Sequence, residues 1–165
     1  MNEGSVLQSG DFYKIIVKPK QDSYLYIFQL DGANKLYRLF PMKHFKTVQL
    51  GNVNPVKANQ TYYLPAKNKS FKLDKQTGTE KLYLLASENA DVVLENQAQI
   101  LQLDKPATQN QLLTMIKQKK GFDAVVDDVN VVETWTEDSQ DFSVSMRRLQ
   151  DLCNGCVHVL SFEHR

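Results

Sequence analysis

Hydrophobic and polar positions alternate with a period of two over most of the first half of the chain. From Asp11 to Lys18, Tyr13, Ile15 and Val17 fall on one face while Lys14 and Lys18 fall on the other. Ser23 to Leu30 is denser, with Tyr24, Tyr26, Phe28 and Leu30 on one side and Leu25 and Ile27 on the opposite one. A run apolar on both faces predicts a central strand, and its aromatic and β-branched residues suit a pleated surface. Asp31-Gly32 punctuates the run before Lys35 to Phe40 resumes it, the pattern of a β-hairpin. Pro41 ends that strand because it has no N–H to give a ladder. Shorter strands are predicted at 47–50, 61–64, 70–73 and 80–86, separated by Gly51-Asn52, Asn54-Pro55, Pro65 and Thr77-Gly78.

The second half changes period. Ala90, Leu94, Ala98 and Leu101 make a helical stripe that Ser87 or Asn89 could cap. Thr108-Gln109-Asn110-Gln111 has capping-box spacing for a second helix, which would end at Lys117, Lys119, Lys120 and Gly121. Ala124 to Trp135 returns to strand character. A third helix is predicted from about Asp141 to Cys153, with Phe142, Met146, Leu149 and Cys153 on one stripe and Gly155 closing it. Cys156 to Phe162, apolar on both faces, predicts a last strand inserted into the sheet. The expected fold is α+β and mainly β: an immunoglobulin-like or open-barrel β-sandwich, about three flanking helices, and a C-terminal strand returning to the sheet. One domain spanning residues 1–165 is expected, because no linker or repeat interrupts the chain.

Composition supports a packed globular domain, at 42% hydrophobic and 24% charged residues with 7 Gly and 5 Pro. The longest apolar runs, such as Leu82 to Ala86, are far too short to span a bilayer, so no membrane insertion is expected. Asn-Glu-Gly-Ser after Met1 has neither the charged nor the apolar region of a signal peptide. That leaves a cytoplasmic protein or a piece of a longer exported one, for which a periplasmic or cell-surface location is favoured. Net charge is +1 but unevenly divided: residues 1–85 carry 13 Lys+Arg and 6 Asp+Glu, and residues 86–165 carry 7 and 13. Such asymmetry either marks a partner-binding face or draws two segments of one fold together, and the second reading is preferred because both segments look folded.

The strand-rich half also carries a series of signatures: Gly10-Asp11, Asp22-Ser23-Tyr24-Leu25-Tyr26-Ile27-Phe28 and Asp31, then Leu39-Phe40-Pro41 and Tyr62-Tyr63-Leu64-Pro65. Phe71-Lys72-Leu73-Asp74 and Thr77-Gly78-Thr79-Glu80 follow. In order and spacing, residues from about 9 to 87 resemble the bacterial domain of unknown function 4384. The resemblance implies a β-sandwich-like module of a longer bacterial protein, often an exported or surface-linked one that also carries protease-like or kinase-like domains. It implies no catalytic residues. Residues 88–165 form an α/β extension beyond it, read as helix, helix, strand, helix and strand.

Candidate chemistry is sparse. His44, His158 and His164 have no nucleophile motif beside them, and there is no Gly-x-Ser-x-Gly, His-Glu-x-x-His or phosphate loop. Asp127-Asp128 and Glu137-Asp138 would send their side chains to opposite strand faces. No enzyme and no cofactor are therefore expected. Cys153-Asn154-Gly155-Cys156 leaves several readings open: reduced core thiols, a disulfide between Cys153 and Cys156, or part of a metal site with His158. A metal site would lack a fourth local ligand. A redox pair would normally open a helix, whereas Cys153 stands near the end of one. Tyr37, Arg38, Phe40, Lys43 and His44, in the segment running to Lys46, offer aromatic and basic contacts for a protein or small ligand. Twelve of the 16 aromatics lie in residues 1–85 with most of the lysines, as in single-strand binders. Most of them sit at strand-core positions and Arg38 is the only Arg before Arg147, so nucleic acid is disfavoured. The leading expectation is a non-catalytic recognition or accessory module of a larger bacterial protein. The alternative is a structural component of a bacterial envelope assembly.

Overall fold

In a computed structural model of the chain, the residues described are 4–101, 106–119, 126–137, 140–149 and 156–165. Three short strands open the fold, β1 (Ser5–Leu7), β2 (Phe12–Tyr13) and β3 (Ile15–Val17), followed by the long β4 (Tyr24–Leu30). β5 (Leu36–Phe40), β6 (Met42–Phe45), β7 (Val48–Asn52), β8 (Tyr62–Leu64) and β9 (Phe71–Lys72) come next. β10 (Gly78–Ser87), α1 (Val92–Leu101), α2 (Pro106–Gln118), β11 (Val126–Glu137), β12 (Gln140–Leu149) and β13 (Cys156–His164) complete the order.

A five-stranded sheet in the order β1-β13-β10-β4-β5 forms the centre. β4 lies between β10 and β5, both antiparallel to it, and its two faces are buried in different cores. On one face Leu25 and Ile27 join Tyr13, Phe40, Leu64, Phe71, Leu82 and Phe162, beneath the ribbons β2-β9, β3-β8 and β6-β7. On the other, Tyr26, Phe28 and Leu30 join Leu36, Tyr83 and Leu85 beneath Leu94, Leu112 and Ile116 of the helices. The expected mainly β, α+β fold is thus a sheet with ribbons on one side and helices on the other. Phe28 and Ile27 are 0% exposed, and full burial of a side chain of this kind stabilises by about 1.5–3 kcal/mol.

The C-terminal strand does return to the sheet. β13 runs antiparallel to β10 from Cys156 to His164 and parallel to β1, so β1 reaches the sheet only through it. The Asp31-Gly32 turn joins β4 to β5 as expected, and the Asp31 carboxylate accepts the Ala33 and Lys35 amides at 2.9 and 2.7 Å. Gly32 is required there by a backbone crossing. A Cβ on it would stand 2.5 Å from the Thr77 carbonyl oxygen, and one on Gly78 (φ 142°) would stand 2.8 Å from the Gly32 Cα.

Three expectations are corrected. The segment read as one strand over 11–18 is two, β2 and β3, which pair with different partners. The segment 42–45, left between the strands predicted at 35–40 and 47–50, is a strand paired with β7. Over the described part of the predicted third helix there is none: Gln140–Leu149 is β12, paired antiparallel with β11 so that Trp135 opposes Phe142, and residues 150–153 lie outside the described residues. Phe142, Val144 and Met146 alternate with Ser143, Ser145 and Arg147, and pairing with β11 selects that period over the helical stripe. Among the described residues there are accordingly two helices, and the extension reads helix, helix, strand, strand, strand.

The helix starts are corrected as well. α2 begins at Pro106, a residue suited to the first helical position, so Thr108 lies within its first turn. Gln109 Oε1 accepts the Leu36 amide at 3.2 Å and covers the outer edge of β5. α1 is capped by Asp91, whose Oδ1 accepts the Val93 and Leu94 amides at 3.1 Å, rather than by Ser87 or Asn89. Its other oxygen takes the Lys119 ammonium at 2.8 Å, tying the two helices together. Burial opposes ionisation of Asp91, but Lys119 and the two amides outweigh it and hold the carboxyl below its usual range. The folded-state pKa is therefore depressed, so the contribution is complete above the unfolded value of about 4 and is lost as pH falls through the folded one. Asp91→Asn keeps a capping oxygen but loses the charge. The stability gap between wild type and this variant, followed by urea denaturation against pH, is expected to be constant near neutrality and to close below about pH 4.

Candidate functional site

A concavity lies where the β11–β12 hairpin meets the outer face of the β3–β8 ribbon. It has a volume of about 340 Å³ and is lined by Lys14, Ile16, Tyr63, Lys67, Asn68, Thr134, Trp135 and Thr136. Strand alternation places these groups. In β3 the core takes Ile15 and Val17, and in β8 it takes Tyr62 and Leu64. Ile16 and Tyr63 therefore point away from the core, and they oppose each other across the ribbon. Trp135, near the end of β11, closes the cleft from the other side and donates from Nε1 to Ser70 Oγ at 3.1 Å.

Lys14 joins the two sides. It lies between β2 and β3, is 8% exposed, and donates to the Lys67 carbonyl at 2.6 Å. Its ammonium stands 3.9 Å from the Trp135 ring centroid. A cation held on a desolvated indole face contributes about 2 kcal/mol. The sequence placed Lys14 on a solvent face, and the hairpin covers it. Chemically the cleft offers an apolar slot walled by aromatic rings, with two lysines and an amide and no acid among its lining residues.

The residues singled out from sequence do not gather on one surface. Phe40 is fully buried, with its ring edge-on to Tyr62. Arg38 turns toward the helices, where its guanidinium donates to the Leu94 carbonyl at 3.4 Å. Burial pushes its pKa down, against the Glu95 carboxylate, which raises it. Tyr37 is 38% exposed on β5, under the Lys35 ammonium. Lys43 and His44 are exposed on β6. Cys153 lies outside the described residues, and Cys156 opens β13.

A second polar group was not foreseen. Tyr13 donates to Gln29 Oε1, Gln29 Nε2 donates to Glu80 at 2.8 Å, and Glu80 is joined to His164 Nδ1 at 3.4 Å. His164 Nε2 in turn meets Ser9 Oγ at 3.0 Å. Burial, with the Glu80 carboxylate nearby, pushes the Tyr13 phenol well above its ordinary pKa, although the Gln29 hydrogen bond opposes this. Ser9, His164 and Glu80 stand in the order of a serine–histidine–carboxylate relay. Such a relay also needs donors for an oxyanion. The Ser9 amide donates to the Arg165 carbonyl at 2.8 Å and the Gly10 amide to Leu73 at 3.0 Å, so both are already engaged. The chain of bonds ties β4, β10 and β13 together across the ribbon-side core. His164 and Glu80 are 84 residues apart, and no local signal joins them.

Among the described residues no helix is long and apolar enough to cross a membrane. A family model described as a domain of unknown function (DUF4384) matches residues 6–90. No curated protein and no solved structure matches the chain.

Proposed function

Because the chain belongs to the domain of unknown function 4384 family, we propose that it is a non-catalytic recognition module of a larger bacterial protein and engages its partner through the cleft between β3–β8 and β11–β12. The observation that carries this reading is the cleft's composition: a 340 Å³ space walled by Ile16, Tyr63 and Trp135, with lysines at its base and mouth. That volume falls at the small end of ligand pockets, which are mostly apolar with a few placed polar groups. One wall comes from the family segment and the other from residues 134–136, outside the match. The extension therefore completes the cleft on the framework of the matched segment. A non-catalytic role is supported by the engaged amides beside Ser9, which leave neither of them to hold an oxyanion.

Nuclear magnetic resonance of nitrogen-labelled protein tests the location. A pool of capped aromatic and aliphatic amino-acid amides is expected to shift amide signals clustered at residues 14–16, 63–68 and 134–136. The same pool on a Tyr63→Ala variant is expected to shift them far less. Shifts confined to Arg38–Lys46, or none, would count against the cleft.

A further inference from the structure

The cleft also discriminates by charge. We propose that its occupant is a flat apolar ring carrying a carboxylate; this rests on the recognition reading above and names the ligand class for the same cleft. Ile16 and Tyr63, opposed across the ribbon, face Trp135 over the gap and make a slot for one ring. About 340 Å³ accommodates a single small ring with a short polar chain.

The polar groups select an acid. Lys67 and Asn68 are exposed at the mouth, where a carboxylate on the ring's chain would meet an ammonium and a side-chain amide together. Lys14 contributes differently. Its ammonium already serves the Lys67 carbonyl and the Trp135 ring, so it anchors the backbone that presents Lys67. The carboxylate of Asp141, on β12 opposite Thr136, accepts the Thr136 hydroxyl at 2.7 Å. Lys14 and Lys67 are the charged groups among the lining residues, which disfavours a cationic ligand at the same place. A carboxylate without a ring would leave the apolar walls wet, and a ring without a carboxylate would forgo Lys67.

The protein holds one tryptophan, so fluorescence reads the cleft directly. Titration with N-acetylphenylalanine is expected to change Trp135 emission saturably, and its carboxamide to bind about fivefold or more weakly. Acetate is expected to have no effect. Lys67→Glu is expected to reduce affinity for the acid by at least the same factor and to leave the carboxamide unchanged. The melting temperature should stay constant, since this side chain is exposed. A short glycine peptide ending in phenylalanine separates the two sources of such a group. Binding at least as tight as the free acid assigns a polypeptide terminus, and binding of the free acid alone assigns a small metabolite; both support the ligand class. Equal binding of acid and carboxamide overturns the ligand class and leaves the cleft reading standing. Binding of neither overturns both.

Discussion

A chain cut after residue 90, at the end of the family match, is expected to lose cooperative folding. The matched segment does not complete the central sheet by itself. β13, from the far end of the chain, lies between β1 and β10, so its removal parts β1 from the sheet and bares a whole side of β10. The helix-side core loses Leu94, Leu112, Ile116 and Val157, and the ribbon-side core loses Phe162, all at most 5% exposed. At about 1.5–3 kcal/mol for each such side chain, the lost burial amounts to about 7–15 kcal/mol. That is on the order of the whole stability of a typical domain. Circular dichroism of the truncated chain should show no cooperative thermal transition. A transition like that of the full chain would mean that the matched segment is autonomous and that the extension is an appendage.

The sequence announced this dependence in one respect. Cys156 to Phe162 is apolar at alternate positions on both faces, a pattern that suits a strand within the sheet and covered on its two sides. The central position of β4 was legible for the same reason, and the β4–β5 hairpin from Asp31-Gly32. What failed were segments whose local pattern fits two periods. Residues 141–149 place Phe142, Met146 and Leu149 at helical spacing, yet also alternate Phe142, Val144 and Met146 with polar residues. The partner strand β11 decides between them, and it cannot be read from that window alone. β6 went unseen because Lys43 and His44 are polar and exposed, as suits a ribbon at the edge of the fold. The cleft was hidden by distance along the chain, since Lys14, Tyr63 and Trp135 come from three separate segments. Two signs were nevertheless present: Ile16 and Tyr63 are apolar where alternation demands a solvent-facing residue.

The Gly78-Thr79-Glu80 segment has a physical account that leads to the second large effect. Gly78 lets the start of β10 cross the Asp31-Gly32 turn, and two residues later Glu80 enters the core at 2% exposure. Its carboxylate accepts the Gln29 amide at 2.8 Å, lies 3.4 Å from the Gly32 amide nitrogen, and is joined to His164 at 3.4 Å. Glu80→Ala leaves all three groups without their acceptor, two of them deeply buried. Each buried donor left unsatisfied costs about 1–3 kcal/mol, and a polar cavity is added to that. A total loss of about 3–4 kcal/mol is expected, with relaxation and the partial exposure of the Gly32 turn keeping it below the simple sum. Glu80→Gln keeps the volume and one acceptor oxygen but presents an amide to partners arranged around a carboxylate, so about 1–2 kcal/mol is expected. Urea denaturation should show the midpoint falling in that order with little change in the slope. His164→Phe, which removes one partner while filling the space, should narrow the difference between wild type and Glu80→Gln if the three groups act as a unit. Strict additivity between these two sites would show instead that Glu80 is held by β4 and the turn alone, and that β13 is kept in the sheet by its backbone ladder and Phe162.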